Sequence, residues 1–145
     1  MDKLRLKAQI RRHEGLRLSL YDCPAGFKTI GYGRNLEQRG ITTKEAETLL
    51  DNDIEIVEKE VRGAFPDLIN KLCESRVEVL FNLAFNMGVP RLKQFRKMLA
   101  ALMQNTFELA AAELLDSRYA EQTGDRAKEL ADILKTGRYG FYNGK

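Results

Sequence analysis

Residues 16–33, LRLSLYDCPAGFKTIGYG, alternate apolar and polar side chains and carry three glycines, while apolar residues elsewhere in the chain recur at helical spacing. A period of two bounded by turn residues reads as strand, and a period near 3.6 reads as helix. Leu16, Leu18 and Leu20 alternate with Arg17, Ser19 and Tyr21, so the segment predicts a β-hairpin turning near Pro24 to Gly26. One short β segment in a helical chain gives an α+β class, mostly α-helical.

The flanking segments carry helix start and stop signals. Residues 3–14 predict a helix with Asp2 as N-cap, Gly15 as terminator and Leu6, Ala8 and Ile10 facing inward; Leu4 fits that face poorly. Thr42 lies three residues before Glu45, a capping-box spacing, ahead of Ala46, Leu49, Leu50, Ile54, Val57 and Val61 at helical intervals. SRVEVLFNLAFNMG is apolar nearly all round, which predicts a central helix covered on every side and ended by Gly88 and Pro90. Further helices run through Met98 to Met103, from Thr106 through Leu114, and over DRAKELADILKTG. The expected organisation is a single domain over 1–145: a small β lobe at 15–42, a connecting helix at 43–63 and a helical lobe at 64–145, with helix 3–14 packing on the last.

Composition narrows the function classes. With 145 residues, 43% of them hydrophobic, the chain can bury a real core. Its 24 Lys and Arg against 21 Asp and Glu leave a net charge of +3, spread through several segments without the basic stripe of a nucleic-acid binder. Two cysteines, Cys23 and Cys73, and one histidine, His13, have no metal-ligand spacing, so neither metal nor cofactor is expected, and both thiols read as free. No run approaches a signal peptide or a membrane span, which predicts a soluble product made in the cytoplasm.

Glu14 sits where the negative end of a helix macrodipole disfavours an ionised carboxylate, as a general acid requires, although a plain exposed glutamate at a helix end reads equally from local sequence. Eight residues separate Glu14 from Cys23 and five separate Cys23 from Thr29, so a hairpin folding back over the helix end can gather all three. The glycines of TIGYG admit a bulky ligand close to the backbone, or mark a bulged strand.

EGLRLSLYDCPAGFKTIGYG resembles the catalytic segment of phage-type lysozymes, which reads Glu, eight residues, Asp or Cys, five residues, Thr. FNLAFNMG resembles that family's central helix, and SRYAEQTGDRA with the following TGRY its C-terminal lobe, so the likeness runs from about residue 6 to 142. The resemblance implies a lysozyme-like fold and cleavage of the β-1,4 bond between N-acetylmuramic acid and N-acetylglucosamine in peptidoglycan. By the same carry-over Glu14 is the general acid, Cys23 stands at the second catalytic position, Thr29 orients the attacking water and Arg126 pairs with the acid. Phe85 and Asn86 match cleft-facing positions; Tyr21, Tyr32, Gln122 and Thr123 are further candidates for sugar contacts.

Three departures matter. Cys23 stands where many relatives carry Asp, and a thiol of ordinary pKa about 8.5 is a weak copy of a carboxylate near neutral pH. It can act as thiolate base, stabiliser or nucleophile, or sit passively while Asp22 supplies the carboxylate. Arg34 replaces the usual histidine, so that histidine's salt bridge is not assumed. The β lobe is also cut short, because RNLEQRGITTKEA passes quickly into the long helix. His13 reads as a solvated imidazole and Cys73 as a packing residue.

The expected role is therefore that of an endolysin: a monomer acting on glycan strands in the periplasm or cell wall, held in the producing cytoplasm until a separate holin releases it. A lytic transglycosylase using Glu14 alone, or a silent wall-binding module, are the competing readings.

Overall fold

A computed structural model describes residues 1–140; residues 141–145, where the expected helical lobe and the resemblance end, lie outside the described residues. The chain divides into two compact units, Met1–Leu49 and Leu50–Lys145. Helices dominate and the strands form one small sheet, so the α+β expectation holds.

The first unit opens with α1, Lys3–Glu14, begun by Asp2, whose Oδ1 accepts the Arg5 N–H at 3.0 Å. Gly15 ends it at φ +71°, donating its N–H to Arg11 O at 3.0 Å. Strand β1, Arg17–Asp22, pairs antiparallel with β2, Lys28–Gly31, placing Tyr21 opposite Thr29 and Asp22 opposite Lys28, with a register shift between Arg17 and Tyr21. In the intervening turn the Cys23 N–H donates to Phe27 O at 3.0 Å and the Gly26 N–H to Cys23 O at 2.7 Å, as the DCPAG signal predicts. A second tight turn leads to β3, Arg34–Asn35, and the sheet order is β1-β2-β3.

Asn35 then caps the short helix α2, Leu36–Arg39, by accepting the Gln38 N–H at 3.0 Å. The capping box forms as expected at the start of α3, Thr43–Ala64: Thr42 N–H donates to Glu45 Oε1 at 2.8 Å, and Glu45 N–H to Thr42 Oγ1 at 3.1 Å. Arg34 completes this corner, donating to Gly40 O at 2.9 Å and to both Glu45 carboxylate oxygens at 3.1 and 2.7 Å. Arg34 and Glu45 thus form a two-pronged guanidinium–carboxylate pair, which holds Glu45 at a pKa of about 2; the Arg34 hydrogen bond is the main cause and those at Thr42 add to it.

Burial on α1 departs from the sequence expectation. No residue of α1 is buried, Leu6 and Ile10 remain about two-fifths exposed, and Leu16, Leu18 and Leu20 of the first strand segment are all exposed. Strands of six, four and two residues are too short to enclose those side chains. The buried residue here is Thr29, 3% exposed.

The second unit, beginning within α3, is built by packing. Its further helices are α4 (Pro66–Lys71), α5 (Glu74–Met87), α6 (Val89–Leu92), α7 (Arg96–Met103), α8 (Phe107–Leu115), α9 (Arg118–Thr123) and α10 (Asp125–Thr136). Helix α8 lies against α7 and α10, and α10 against α5. Leu80, Leu83, Leu92, Leu102, Leu114 and Leu134 are fully enclosed there, each worth roughly 1.5–3 kcal/mol of transfer free energy. Arg76 fastens α5 to the end of α10, donating to Leu134 O at 2.7 Å and Lys135 O at 3.1 Å while its guanidinium lies 3.5 Å from the centre of the Phe107 ring. These bonds satisfy carbonyls that a helix C-terminus leaves without partners.

Helix α5 is not covered on every side. Val77, Val79, Leu80, Leu83 and Ala84 are buried, but Glu78, Phe81, Asn82 and Phe85 face an open groove.

Candidate active site

The three residues expected to do chemistry all lie in the first unit. Glu14 closes α1 and its side chain is exposed. Its carboxyl lies against the turn between β2 and β3, where a Cβ added to Gly33 would stand 2.9 Å from Oε2 and 3.0 Å from Cδ. Gly33 also adopts φ +79°, a conformation that side chains disfavour. The acid is thereby held against the turn that follows β2, the strand that carries Thr29.

Strand register sorts the hairpin residues by face. Tyr21 pairs with Thr29, and side chains two apart share a face, so the first residue of the turn, Cys23, follows the Thr29 side while Asp22 and Lys28 take the other. Lys28 Nζ holds Asp22 Oδ1 at 2.7 Å on that opposite face. Thr29 Oγ1 donates to Phe27 O at 2.8 Å inside the hairpin, leaving its lone pairs to accept from a water.

Cys23 is a free, half-buried thiol. Backbone hydrogen bonding at Phe27 pulls its pKa below the ordinary thiol value, against an opposing effect of desolvation, and the backbone of Ala25 and Gly26 and the Thr29 hydroxyl pull the same way. The turn therefore makes the thiolate, the form that acts as base or nucleophile, easier to reach than in a free cysteine. Cys73, the other thiol, is exposed at the start of α5, not packed as the sequence suggested; its Sγ lies 3.4 Å from Ser75 Oγ and 3.7 Å from Arg76 Nη1.

Tyr32 is drawn to a different feature of this unit. It lines an apolar hollow of about 450 Å³ with Met1, Leu6 and Ile10, and the Arg11 guanidinium lies 5.6 Å from the centre of its ring.

In the second unit Arg126 stands on the first turn of α10 and is fixed by a residue that sequence reasoning missed. Asn82 Oδ1 accepts from Arg126 Nε at 3.0 Å and from Nη2 at 2.7 Å, a bond 44 positions apart in the chain. The signal was the one polar side chain in VLFNLAF. Arg126, Asn82 and Phe85 line a groove of about 430 Å³ together with Leu50, Ile54, Val57, Phe81, Glu78 and Tyr139. The Tyr139 hydroxyl bonds the Glu78 carboxylate within it. Apolar walls with a few fixed polar groups suit a sugar ring. Asn86 and Gln122 are exposed but do not line this groove, and the Thr123 hydroxyl is engaged with Tyr119 O at 2.8 Å.

Comparison with known proteins gives these residues a common context. The phage lysozyme family model matches residues 11–134. The chain is 32% identical over 130 residues to an endolysin of Acyrthosiphon pisum secondary endosymbiont phage 1, covering 87% of this chain and 85% of that one. It is 23% identical to a probable T4-type lysozyme 1 of Dictyostelium discoideum, covering 94% of this chain and 97% of the relative. It is also 29% identical to the pre-baseplate central spike protein Gp5 of Enterobacteria phage T4, across 92% of this chain but only 28% of that protein's length. With a family match over most of its length and an endolysin relative above 30% identity, the chain belongs to the phage lysozyme family.

Proposed function

We propose that the chain is a muramidase of the endolysin type, hydrolysing the β-1,4 bond between N-acetylmuramic acid and N-acetylglucosamine in bacterial peptidoglycan. Membership of the lysozyme family makes it a glycoside hydrolase. The observation that supports the residue assignment is local: one small sheet carries a buried Thr29 beside a turn that pulls the Cys23 thiol's pKa down, and the turn after β2 sets Gly33 against the carboxyl of Glu14.

In this reading Glu14 gives its proton to the glycosidic oxygen as the bond to the anomeric carbon breaks. A water attacks that carbon, oriented by the Thr29 hydroxyl, and the Cys23 thiolate takes the water's proton. Asp22, held by Lys28, stays outside the reaction. Phe85, in the groove that Arg126 and Asn82 also line, is the sugar contact of the second unit in this reading. The protein acts as a monomer on glycan strands, accumulates in the cytoplasm and reaches the wall through a separate holin; no described helix is long and apolar enough to cross a membrane.

Clearing of a peptidoglycan suspension tests the assignment. Glu14→Gln should lower the rate by about 10²-fold or more. Cys23→Ser should fail, Cys23→Asp should recover activity with its rising pH limb moved down to the carboxylate range, and Asp22→Asn should change little. For the wild type the rate should climb with pH as the thiolate forms, with a midpoint below the ordinary thiol value. Full activity in Cys23→Ser removes the thiolate from the mechanism. New reducing ends mark hydrolysis, whereas 1,6-anhydro ends would reassign the chain as a lytic transglycosylase working through Glu14 alone.

A further inference from the structure

We propose that Gly33 is a positioning residue for the acid: by having no side chain it leaves the space that the Glu14 carboxyl occupies, and so sets where the proton is delivered. This inference rests on the general-acid reading of Glu14. The TIGYG segment contains two glycines with nearly the same backbone demand, Gly31 at φ +71° and Gly33 at φ +79°. Conformation therefore explains glycine at both positions. Surroundings separate them. A Cβ at Gly31 would meet nothing within 4 Å, whereas one at Gly33 would stand 2.9, 3.0 and 3.4 Å from Oε2, Cδ and Cγ of Glu14.

Those atoms are the far end of a flexible side chain at an exposed helix terminus. An added methyl group would be relieved by a swing of the carboxyl rather than by a shift of backbone, so the fold survives and the acid moves. Protein catalysis is sensitive to such a move, because a misplacement on the order of 1 Å costs about 10²-fold. The second glycine of the motif thus does a job distinct from the first.

The test compares Gly31→Ala with Gly33→Ala in the full chain. Both carry the same backbone strain and should melt within a few degrees of each other. Gly33→Ala alone should lose at least tenfold in kcat on soluble glycan fragments with KM unchanged. The ¹³C resonance of the Glu14 carboxyl, read by isotope-edited NMR across pH, should move in Gly33→Ala and stay put in Gly31→Ala.

Equal kcat in the two variants, or an unmoved Glu14 resonance in Gly33→Ala, overturns the proposal. Full wall clearing by Glu14→Gln instead overturns the general-acid reading, and the carboxyl resonance still reports separately whether Gly33 sets the side chain's place.

Discussion

The unit that carries Glu14, Cys23 and Thr29 buries no apolar side chain among the described residues, whereas the helical unit holds all of those that are buried, from Val61 to Leu134. The two are organised by different forces. In the first, directional bonds and glycine turns decide where atoms lie: the Asp2 and Asn35 caps, the Thr42–Glu45 box, the Arg34 pair and the hairpin. In the second, close packing does so. Hydrogen bonds fix a carboxyl or a hydroxyl in direction, which is what proton transfer needs, while packing supplies most of the free energy of a fold. A chain built this way can place its reactive groups on a scaffold that contributes little to the core.

The sharpest way to break this contrast is a matched pair of leucine truncations. Leu83→Ala, in a fully enclosed site, should lose about 2–5 kcal/mol in a denaturant melt. Leu18→Ala, at a site 82% exposed, should stay within about 0.5 kcal/mol. Equal losses would mean that the first unit also depends on apolar burial. A smaller effect is expected at Asn82→Ala, which releases the Arg126 guanidinium: roughly fivefold in lytic rate, about 1 kcal/mol, with little change in melting. A melting loss as large as that of Leu83→Ala would recast Asn82 as part of the packed framework.

The smallest effect sharpens the electrostatic side of the comparison. Glu45 has a pKa of about 2 in the folded chain against an ordinary value near 4.5. Its contribution is therefore complete above about pH 4.5 and fades as pH falls toward 2, where the folded carboxylate takes up its proton. Melting temperature should fall across that window in the wild type, and less steeply in Glu45→Gln. Added salt should shrink the difference, because the Arg34–Glu45 pair is partly exposed. A slope unchanged by the substitution would show that other carboxylates govern acid stability.

Legibility followed the range of the interaction. The turn at Pro24 to Gly26 and the Thr42–Glu45 box were readable because each closes within a few residues. Helix limits at Gly15, Gly88 and Gly137 were readable for the same reason. What misled was burial. Leu6 and Ile10 carry the right period for an inward face, yet period marks only which side chains share a face, and α1 leaves that face open. The open side of α5 was hidden for the converse reason: Phe81 looks like core in sequence and lines a groove in space, and it was the family resemblance, not the helical period, that marked Phe85 as cleft-facing.

By itself, then, the sequence determined the elements, their caps and turns, and the hairpin that carries Cys23 and Thr29, since these depend on φ/ψ preference and on bonds between near neighbours. Only the tertiary structure decided that Arg34 takes Glu45, that Asn82 takes Arg126 and that Gly33 makes room for the Glu14 carboxyl. Those contacts join residues 11 to 44 positions apart, and a match at such distances is set by where whole elements come to rest rather than by any local preference of the chain.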